Sequence, residues 1–335
     1  MNLENLQKVL RDWKEDSFRA AQILGWVYKK GVLDFTQMNN LPAGLRGRLK
    51  DNFYIISLNL KEKIRSIDLT EKLLFELNDG NLIEAVIIPT ENRVTGCLST
   101  QAGCKFACRF CASGLSGFIR DLSAAEIIEE ALYLKQGSAG KLTHLVFMGT
   151  GEPLDNYDNL MQAVRVINSP DGLNIGARRI TISTVGIIPG IVRLAREGLQ
   201  VELSVSLHAS DDRTRSSLMP VNKKYPLKDL IGACRDYIQK TNRQVTFEYI
   251  LIKGVNTRAE DTLNLSKLLS GLNCKINLIL ANPVKEYGIE PPNKLEVLLF
   301  KDALIKKGIR VILRRSRGQD IQAACGQLRL KYENK

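Results

Sequence analysis

The first part of the chain has apolar residues at the spacing of one helical face. Near the amino terminus they are Ala20, Ile23, Leu24 and Val27. This spacing predicts an amphipathic helix, and Ser17 stands where a side chain can cap its start. We therefore expect residues 1–58 to form a helical accessory domain.

A β-hairpin is predicted next, in the segment LLFELNDGNLIEAVIIP. Its two apolar runs flank Asn78, Asp79 and Gly80, residues that favour a tight turn. The hairpin would occupy a linker, residues 59–93, which joins the accessory helices to the main domain.

From Cys97 onward, short β-rich runs alternate with helical segments. The runs are GCLST, HLVFMG, RRITIST, VELSVSL, VTFEYILI and KINLILA. Amphipathic stretches such as SAAEIIEEALYL and PLKDLIGACRDYI lie between them. Six alternations of this kind predict parallel strands with crossover helices, either as a partial barrel or as an open doubly wound sheet.

The residues that end these runs distinguish the two architectures. They are polar or rich in glycine: Gly149, Gly151 and Glu152; Ser183 and Thr184; Ser206 and His208; and Asn282. In a β/α barrel such residues converge at one rim, where active sites are built. A dinucleotide-binding sheet would instead need an early G-x-G-x-x-G, which the sequence does not contain. The pattern therefore favours the partial barrel.

Length and composition indicate how large a domain the chain can form and in which compartment we expect it. The 335 residues suffice for one large domain with a smaller attachment, and no stretch approaches the roughly 20 apolar residues of a membrane span. The amino terminus mixes both charge signs instead of forming a signal peptide, so we expect a cytoplasmic protein. Only two histidines occur, His144 and His208, which excludes a site built from several imidazoles.

The chain carries a strong positive charge. Lys and Arg number 48 against 36 Asp and Glu, which gives a formal net charge of +12. This balance favours a polyanionic partner, although it also suits a soluble basic enzyme. Basic side chains accompany the predicted amino-terminal helices: Arg19, Lys29, Lys30, Arg46, Arg48 and Lys50. Two alternatives stay open for them, an RNA-facing surface and a solvated face.

Three cysteines, Cys104, Cys108 and Cys111, form a C-x3-C-x2-C run in the segment GCKFACRFCASG. Three thiolates can hold a 4Fe-4S cube by three of its irons, which leaves the fourth iron open to a small-molecule ligand. Structural zinc typically uses a second cysteine pair, which the sequence does not contain. Cys97 could complete a set of four thiolates, but it lies seven residues upstream in a predicted strand. A disulfide framework does not suit a long chain with 7 cysteines and no secretory signal. The run therefore predicts an iron-sulfur cluster with an open corner.

The cysteine run, with Phe110 immediately before Cys111, resembles the radical S-adenosylmethionine (SAM) superfamily. Further segments extend the resemblance: MGTGEP (148–153), STVGIIP (183–189), SVSLHA (204–209), PVNKKYP (220–226), KINLILANP (275–283) and RGQDIQAACGQL (317–328). Together they resemble the RlmN-type adenosine-C2 methyltransferases of ribosomal and transfer RNA, over nearly the whole chain. The resemblance implies an α/β fold, a partial (β/α)6 barrel of the TIM type over residues 94–335, with the small helical domain before it.

The resemblance also implies two cofactors. One is a 4Fe-4S cluster bound by Cys104, Cys108 and Cys111, and the other is SAM, of which two molecules are used per turnover. A carboxylate facing an ammonium group and hydroxyls facing a ribose suit SAM. The residues that match its contacts in the family are Gly151, Glu152, Ser183, Ser206, Leu207, His208 and Asn282.

A further cysteine, Cys325, stands in the tail segment AACG (323–326), where small neighbours would let a bulky substrate approach its sulfur. Arg314, Arg315 and Arg317 lie just upstream, and cationic surroundings stabilise a thiolate. We therefore expect a reactive thiol rather than a buried one, which is the common state of a free cysteine.

The resemblance assigns roles to three residues. Cys325 matches the cysteine that one SAM methylates, and whose thiomethyl group then loses a hydrogen to a radical and adds to adenine, giving a covalent RNA-protein adduct. Cys97 matches the resolving cysteine, which breaks that adduct and forms a disulfide with Cys325. Glu84 matches the family's proton acceptor, whereas its residue type and place alone would indicate an exposed strand carboxylate. Cys234 and Cys274 match no catalytic position, and we expect them to be packing residues.

Pro153 separates two branches of the resembled family. A Cfr-type paralogue methylates carbon 8 of the same adenosine and usually has alanine after the glutamate, so Pro153 favours carbon 2. Thr150 departs from the methionine that is commoner at its position, but the flanking glycines and Glu152 keep the rest of the motif.

The partners implied by the resemblance are 23S rRNA at the peptidyl transferase centre, as a protein-poor precursor, and tRNA next to the anticodon. It also implies an electron donor such as flavodoxin or ferredoxin, no membrane partner and a monomeric protein. Two alternatives stay open. One is a zinc-stabilised RNA-binding module without catalysis, and the other is a radical enzyme that acts on a small molecule or a protein.

Overall fold

The computed structural model of the protein describes residues 3–114, 117–282, 288–314 and 317–321. Cys325 and Arg315 lie outside the described residues, so the roles assigned to them stay predictions. None of the helices in these ranges combines the length and the apolarity that a bilayer span requires.

The amino-terminal region is helical, as predicted. Helix α1 spans Leu3–Asp12, and α2 spans Arg19–Leu24 and continues as a π-helical segment, Gly25–Lys29. A 3-10 turn, Phe35–Gln37, precedes α3, Ala43–Asn52.

The predicted apolar face of α2 is confirmed, but its predicted cap is wrong. Ala20, Ile23, Leu24 and Val27 are all buried. The residue before the helix is Phe18, and no side chain caps that end. Ser17 lies one position too early, and its carbonyl accepts a hydrogen bond from the Ala20 amide.

Four antiparallel strands follow. They are β1 Asn59–Arg65, β2 Glu71–Glu76, β3 Leu82–Thr90 and β4 Arg93–Cys97. The predicted hairpin is the β2–β3 pair, whose turn contains Gly80 at φ +81° and Asp79, which accepts from the Asn81 amide. Strand β1 was not predicted, because LKEKIR is mostly charged and most of it is exposed.

Six further strands run parallel to β4 and to one another. They are β7 Leu142–Phe147, β8 Ile180–Thr184, β9 Glu202–Ser206, β10 Val245–Leu251, β11 Cys274–Leu280 and β12 Val311–Arg314. All ten strands form one sheet in the order β1-β2-β3-β4-β7-β8-β9-β10-β11-β12. A separate hairpin consists of β5 Gln101–Gly103 and β6 Phe118–Asp121. The predicted parallel α/β architecture is confirmed, with β12 as an additional strand.

Helices connect the parallel strands. They are α4 Ala124–Gly137, α5 Tyr157–Asn168, α6 Ile188–Leu194, α7 Asp212–Leu218, α8 Leu227–Thr241, α9 Ala259–Leu268 and α10 Lys294–Lys306. The stretches SAAEIIEEALYL and PLKDLIGACRDYI form α4 and α8, and a reciprocal capping box between Ser123 and Glu126 begins α4.

Close packing shows which face of the sheet the helices cover. A Cβ atom at Gly96 would lie 2.8 Å from the side chains of Leu134 in α4 and Leu145 in β7, so this face packs on α4. Side chains alternate along a strand, and Cys97 therefore points to the opposite, inner face. Glu248 on the inner face of β10 accepts from Ser204 Oγ at 2.8 Å and Asn277 Nδ2 at 2.9 Å. The inner face is thus partly polar.

Candidate active site

The three cysteines of the C-x3-C-x2-C run lie on a compact loop between β5 and β6. The Cys104 amide donates to the Gly117 carbonyl at 2.7 Å, and the Cys111 amide donates to the Cys108 carbonyl at 3.0 Å. Gly103 is required at the start of the loop, because its φ is +76° and a Cβ atom there would lie 2.0 Å from the Gly117 carbonyl oxygen. The backbone therefore fixes the spacing of the thiols.

The cysteine loop is seated on the rim formed by the carboxyl ends of the parallel strands. The Arg109 amide donates to the Leu218 carbonyl at 3.0 Å. Cys108 is buried in an apolar cluster with Ile250, at the end of β10, and Ala281, just after β11. The ring of Phe110 packs edge-on against His208, with centroids 4.5 Å apart. The thiols therefore lie where the barrel architecture places active sites.

Burial raises the pKa values of all three thiols. The pKa of Cys104 rises to about 12, that of Cys108 rises well above its usual range, and that of Cys111 rises as well. The other two thiols also raise the pKa of Cys108. Iron coordination displaces the thiol proton and replaces the lost hydration with a metal-sulfur bond. These three soft thiolate donors therefore suit an iron-sulfur cluster. No group of three or more potential ligands in the described ranges is arranged around a single-ion position.

The MGTGEP segment, after β7, packs tightly against the chain that follows β4. A Cβ atom at Gly149 would lie 2.6 Å from the Leu98 carbonyl oxygen, and one at Gly151 would lie 2.8 Å from the Gln101 amide nitrogen. Gly151 also has φ +103°, a conformation that side chains rarely adopt. Both glycines are therefore needed for close approach, which the sequence indicated only weakly.

Glu152 is buried, and its carboxylate links two strand ends. Its oxygens accept from the Val185 amide at 2.7 Å and the Leu154 amide at 3.0 Å, while its own amide donates to Gln101 Oε1. Burial raises the pKa of Glu152 to about 7, and these hydrogen bonds partly offset that effect. Each carboxylate oxygen has a second lone pair that can accept from a ligand.

The structure places the remaining predicted SAM residues at the same rim, with the side chains of Leu207 and His208 buried. Ser183 and Ser206 are half-buried near the ends of β8 and β9, and Asn282 follows β11. Leu207 is fully buried, and its amide donates to the Glu248 carbonyl. Their contact with SAM stays a prediction.

The His208 side chain is buried, and one of its two ring nitrogens has a hydrogen-bond partner in the core. Its Nδ1 accepts from the Ile250 amide at 3.0 Å, and burial lowers its pKa to about 3. The imidazole is therefore neutral, with its proton on Nε2. Its φ of +58° and its contact with Phe110 join the end of β9 to the cysteine loop.

Sequence reasoning missed Arg215, which is fully buried at this rim. Its guanidinium donates to the carbonyls of Val185 at 2.7 Å and Ser206 at 3.0 Å, and to Asn222 Oδ1 at 2.8 Å. Burial lowers its pKa to about 10, so it remains a cation at neutral pH. It ties the ends of β8 and β9 together. The only sequence signal was indirect, since Asn222 lies in the segment PVNKKYP.

Glu84 is not the exposed carboxylate that its residue type and place alone indicated. It is 3% exposed and pairs with Lys72 Nζ at 3.1 Å, and Lys72 is itself 1% exposed. The β3–β4 register pairs Val86 with Cys97, so Glu84, two residues before Val86, faces the same side as Cys97. Sequence reasoning missed Lys72. Burial of one charge without the other is costly, so the pair acts as a unit.

Cys97 ends β4, between Val86 of β3 and Val146 of β7, and is buried. No disulfide links any two of the described cysteines. The predicted partner, Cys325, lies outside the described residues, so that pairing stays a prediction. Cys234 and Cys274 are buried in the apolar core, as expected of packing residues.

The fold and the cysteine loop define a radical SAM enzyme, because residues 98–266 match the Radical SAM superfamily. Residues 1–55 match a second family, the ribosomal RNA large subunit methyltransferase N-terminal domain. The chain belongs to the RlmN family of radical SAM RNA methyltransferases.

Two relatives and one solved structure support this assignment. Proteins called "Probable dual-specificity RNA methyltransferase RlmN" from Thermoanaerobacter sp. (strain X514) and Caldanaerobacter subterraneus subsp. tengcongensis are 46% and 47% identical to this chain. Each match covers 99% of this chain and 97% of the relative. The crystal structure of a radical SAM methyltransferase from Sphaerobacter thermophilus superimposes with a TM-score of 0.95 at 42% identity, over 98% of this chain and 97% of that one. The zinc-stabilised module is therefore set aside.

Proposed function

We propose that this protein makes 2-methyladenosine in 23S rRNA, at the peptidyl transferase centre, and in tRNA next to the anticodon. The observation that carries the proposal is the three-cysteine loop seated on the rim of the barrel, in a chain 46% identical over 99% of its length to an RlmN relative. The supporting observation is that Glu84 and Cys97 face the same side of neighbouring strands.

Cys104, Cys108 and Cys111 would hold a 4Fe-4S cluster, and SAM would bind beside it. When bound, these groups supply a 5′-deoxyadenosyl radical from one SAM and a methyl group from another. Gly151 and Glu152 would accept the amino end of SAM, and the other predicted contacts are Ser183, Ser206, Leu207, His208 and Asn282. Because the His208 side chain is engaged in the core, we assign its contact to the backbone.

Three residues of the chain would carry the bond changes. Cys325 would take the methyl group, lose one hydrogen from it and bond to the adenine carbon. Glu84, paired with Lys72, would take the proton that the adenine carbon releases. The unpaired electron left on the adduct would pass to an acceptor such as the oxidised cluster. Cys97 would then attack the sulfur of Cys325, which leaves a disulfide, and the released methylene carbon would take up a proton to become the methyl group of the base. Aromatic amidine carbons are not nucleophiles, which explains why ordinary methyl transfer would not suffice.

The amino-terminal helices would form part of the RNA surface. Arg48 lies 4.4 Å from the Trp13 ring centroid, and Lys30 lies 3.4 Å from that of Trp26. Cations held over aromatic rings keep a defined position from which they can meet phosphate. We expect a monomeric, cytoplasmic enzyme reduced by a donor such as flavodoxin or ferredoxin.

The proposal is tested in cells that lack this protein. Digested 23S rRNA and tRNA, analysed by mass spectrometry, should lose 2-methyladenosine and regain it when the gene is restored. A loss of 8-methyladenosine instead would assign the chain to the Cfr-type activity, and unchanged nucleosides in both RNAs would overturn the proposal.

Removing three exposed amino-terminal charges should weaken RNA binding and flatten its salt dependence. Lys29, Lys30 and Lys50 are exposed. Each phosphate that is no longer neutralised reduces the magnitude of the slope of log K against log salt by about 0.7 to 0.9. The slope of the triple alanine variant should therefore be smaller by roughly 2 to 3. The measurement is a binding titration at several salt concentrations.

The control variant removes the same charge from α10 and its end. Lys294, Lys306 and Lys307 are also exposed, and replacing them should leave the slope nearly unchanged. Equal effects of the two triple variants on the slope would show that the amino-terminal lysines belong to a solvated face and do not contact RNA.

SAM affinity should rise with pH through about 7 because of Glu152. In the SAM-free protein this carboxyl group is protonated below its pKa of about 7, and a protonated carboxyl group is a poor acceptor. Since binding favours the ionised form, lowering the pH from 7 to 6 should weaken binding by about fivefold. Equilibrium dialysis of reconstituted protein at several pH values measures this. The Glu152→Gln variant should bind SAM more weakly, and its affinity should not change with pH near 7. The Glu290→Gln variant, at an exposed position, should keep the pH dependence of the wild type.

A further inference from the structure

The turn between β1 and β2 holds the segment that follows β12. Asp320 accepts from Ser66 Oγ at 2.6 Å and from the Ile67 amide at 3.1 Å. Asp68 accepts from the Gly318 amide at 3.0 Å and lies 4.0 Å from Arg317 Nη1. We call these contacts the edge latch.

The edge latch connects the two ends of the ten-stranded sheet. Strands β1 and β12 are its outermost strands, and the order of the described strands gives them no ladder with each other. The contacts of the latch join residues separated by 249 to 254 positions in the chain. The latch therefore bridges the open side of the barrel, between the β1–β2 turn and the chain that follows β12.

The β1–β2 turn keeps its shape without the latch. The Ser66 amide donates to the Thr70 carbonyl at 2.8 Å, and the Thr70 amide donates to Asp68 Oδ1 at 3.0 Å. Burial alone would raise the pKa of Asp68, but hydrogen bonds from Gly318, which belongs to the latch, and from Thr70 and Ser66 within the turn outweigh it and lower the pKa, so this carboxylate is ionised at neutral pH. The turn thus presents preformed acceptors and donors to the carboxyl-terminal segment.

The latch contributes little to global stability. Asp320 is exposed, and Asp68 and Arg317 are 26% and 44% exposed at their side chains. Ser66 is the one buried side chain among these four, and hydrogen bonds and ion pairs that involve partly exposed groups contribute little to the free energy of unfolding. Their larger effect is on the freedom of the chain they hold, because fixing the end of a flexible segment lowers the entropy cost of placing its other residues.

The chain is also held just before the latch. Arg314, the last residue of β12, lies 3.5 Å from Glu248 Oε2, and Glu248 is fixed by Ser204 and Asn277. Cys325 follows Ile321 by four residues, so chain length limits the distance between their Cα atoms to roughly 14 Å. The latch therefore fixes the point from which the reactive cysteine can reach.

We propose that Ser66, Asp68 and Asp320 are positioning residues that hold the segment leading to Cys325 at the barrel mouth, so that its sulfur meets SAM and then RNA. This rests on the proposed function, in which Cys325 is methylated. Asp320 and Ser66 touch neither cofactor nor substrate in this scheme and act through the tail. Because displacement of a reacting group by about 1 Å can lower the reaction rate by about two orders of magnitude, loss of the latch should slow methylation of Cys325.

The test follows methylation of Cys325. Apoprotein is reconstituted with iron and sulfide and given SAM with a deuterated methyl group, and the tail peptide is analysed by mass spectrometry over time. At saturating SAM, Asp320→Ala and Ser66→Ala should each slow methylation about tenfold, and the double variant should be little slower than either, since each removes the hydrogen bond between Ser66 and Asp320. Iron content, SAM affinity and Tm should not change. Asp302→Ala, which removes an exposed carboxylate from α10, should match the wild type.

The outcomes separate the two hypotheses. A wild-type tail that takes up label, with Asp320→Ala within twofold of it, would overturn the latch and leave the proposed function standing. A wild-type tail that never takes up label would overturn the proposed function and the latch with it. A fall in Tm or SAM affinity that matches the fall in rate would show a structural role instead of a positioning one.

Discussion

Cys97→Ala should leave this protein covalently attached to RNA. In the proposed scheme Cys325 bonds to adenine before Cys97 acts, so removing the Cys97 sulfur should stop the reaction at the adduct. Cys97 is a strand residue held between β3 and β7, and its truncation should cost only about 1 kcal/mol of unfolding free energy. The variant should therefore fold, bind its cofactors and accumulate the adduct.

The measurement is a denaturing gel of protein purified from cells, with and without ribonuclease. Cys97→Ala should migrate slowly until ribonuclease is added, and its RNA should contain almost no free 2-methyladenosine. Cys325→Ala should give neither adduct nor product and should keep its brown cluster. Cys234→Ala, a buried cysteine of α8, should resemble the wild type. If Cys97→Ala runs free of RNA and still makes product, the two-cysteine scheme does not hold for this chain.

Replacing Cys104, Cys108 or Cys111 with alanine should abolish cluster assembly and RNA methylation together. Each thiolate would bind a different iron, so no remaining cysteine can substitute for the missing one. We expect methylation to fall by at least roughly a thousandfold in each variant, since the radical step has no uncatalysed counterpart of useful rate. Iron and sulfide analysis of anaerobically purified protein and a methylation assay measure the two effects.

The folded state should survive these substitutions. Backbone hydrogen bonds from Cys104, Cys111 and Arg109 hold the cysteine loop, and alanine retains all three. Circular dichroism should therefore match the wild type. Cys274→Ala, a buried cysteine on β11, serves as the control and should keep iron and activity. A cluster cysteine variant with full activity would contradict the assignment of the loop.

Periodicity and turn chemistry predicted the elements that obey local rules. The β2–β3 hairpin follows from Asp79 and Gly80, and α4 follows from the Ser123 capping box. Strand β12 escaped prediction because four residues with alternating exposure give too short a pattern. The cap at Ser17 failed because the backbone begins α2 two residues later.

The site was predictable where function requires a residue type at a fixed spacing, as in the cysteine loop. It was not predictable where the chemistry depends on burial, which tertiary structure alone decides. Lys72 and Arg215 look like ordinary surface cations in the sequence, yet both are almost completely buried. Glu84 is a further case, because it is buried and paired with Lys72, a residue twelve positions away on the neighbouring strand.

The order of strands in the sheet also bears on how the molecule is made. Every strand of the main sheet lies beside the strand that precedes it in that sheet, so the growing chain can add strands one at a time as it leaves the ribosome. The edge latch is different, because Asp68 is synthesised 250 residues before its partner Gly318. At ordinary synthesis rates that interval lasts roughly 10 to 50 seconds. The first strands of the sheet can therefore form while the tail is still unmade, and the reactive cysteine is synthesised after every strand of the sheet.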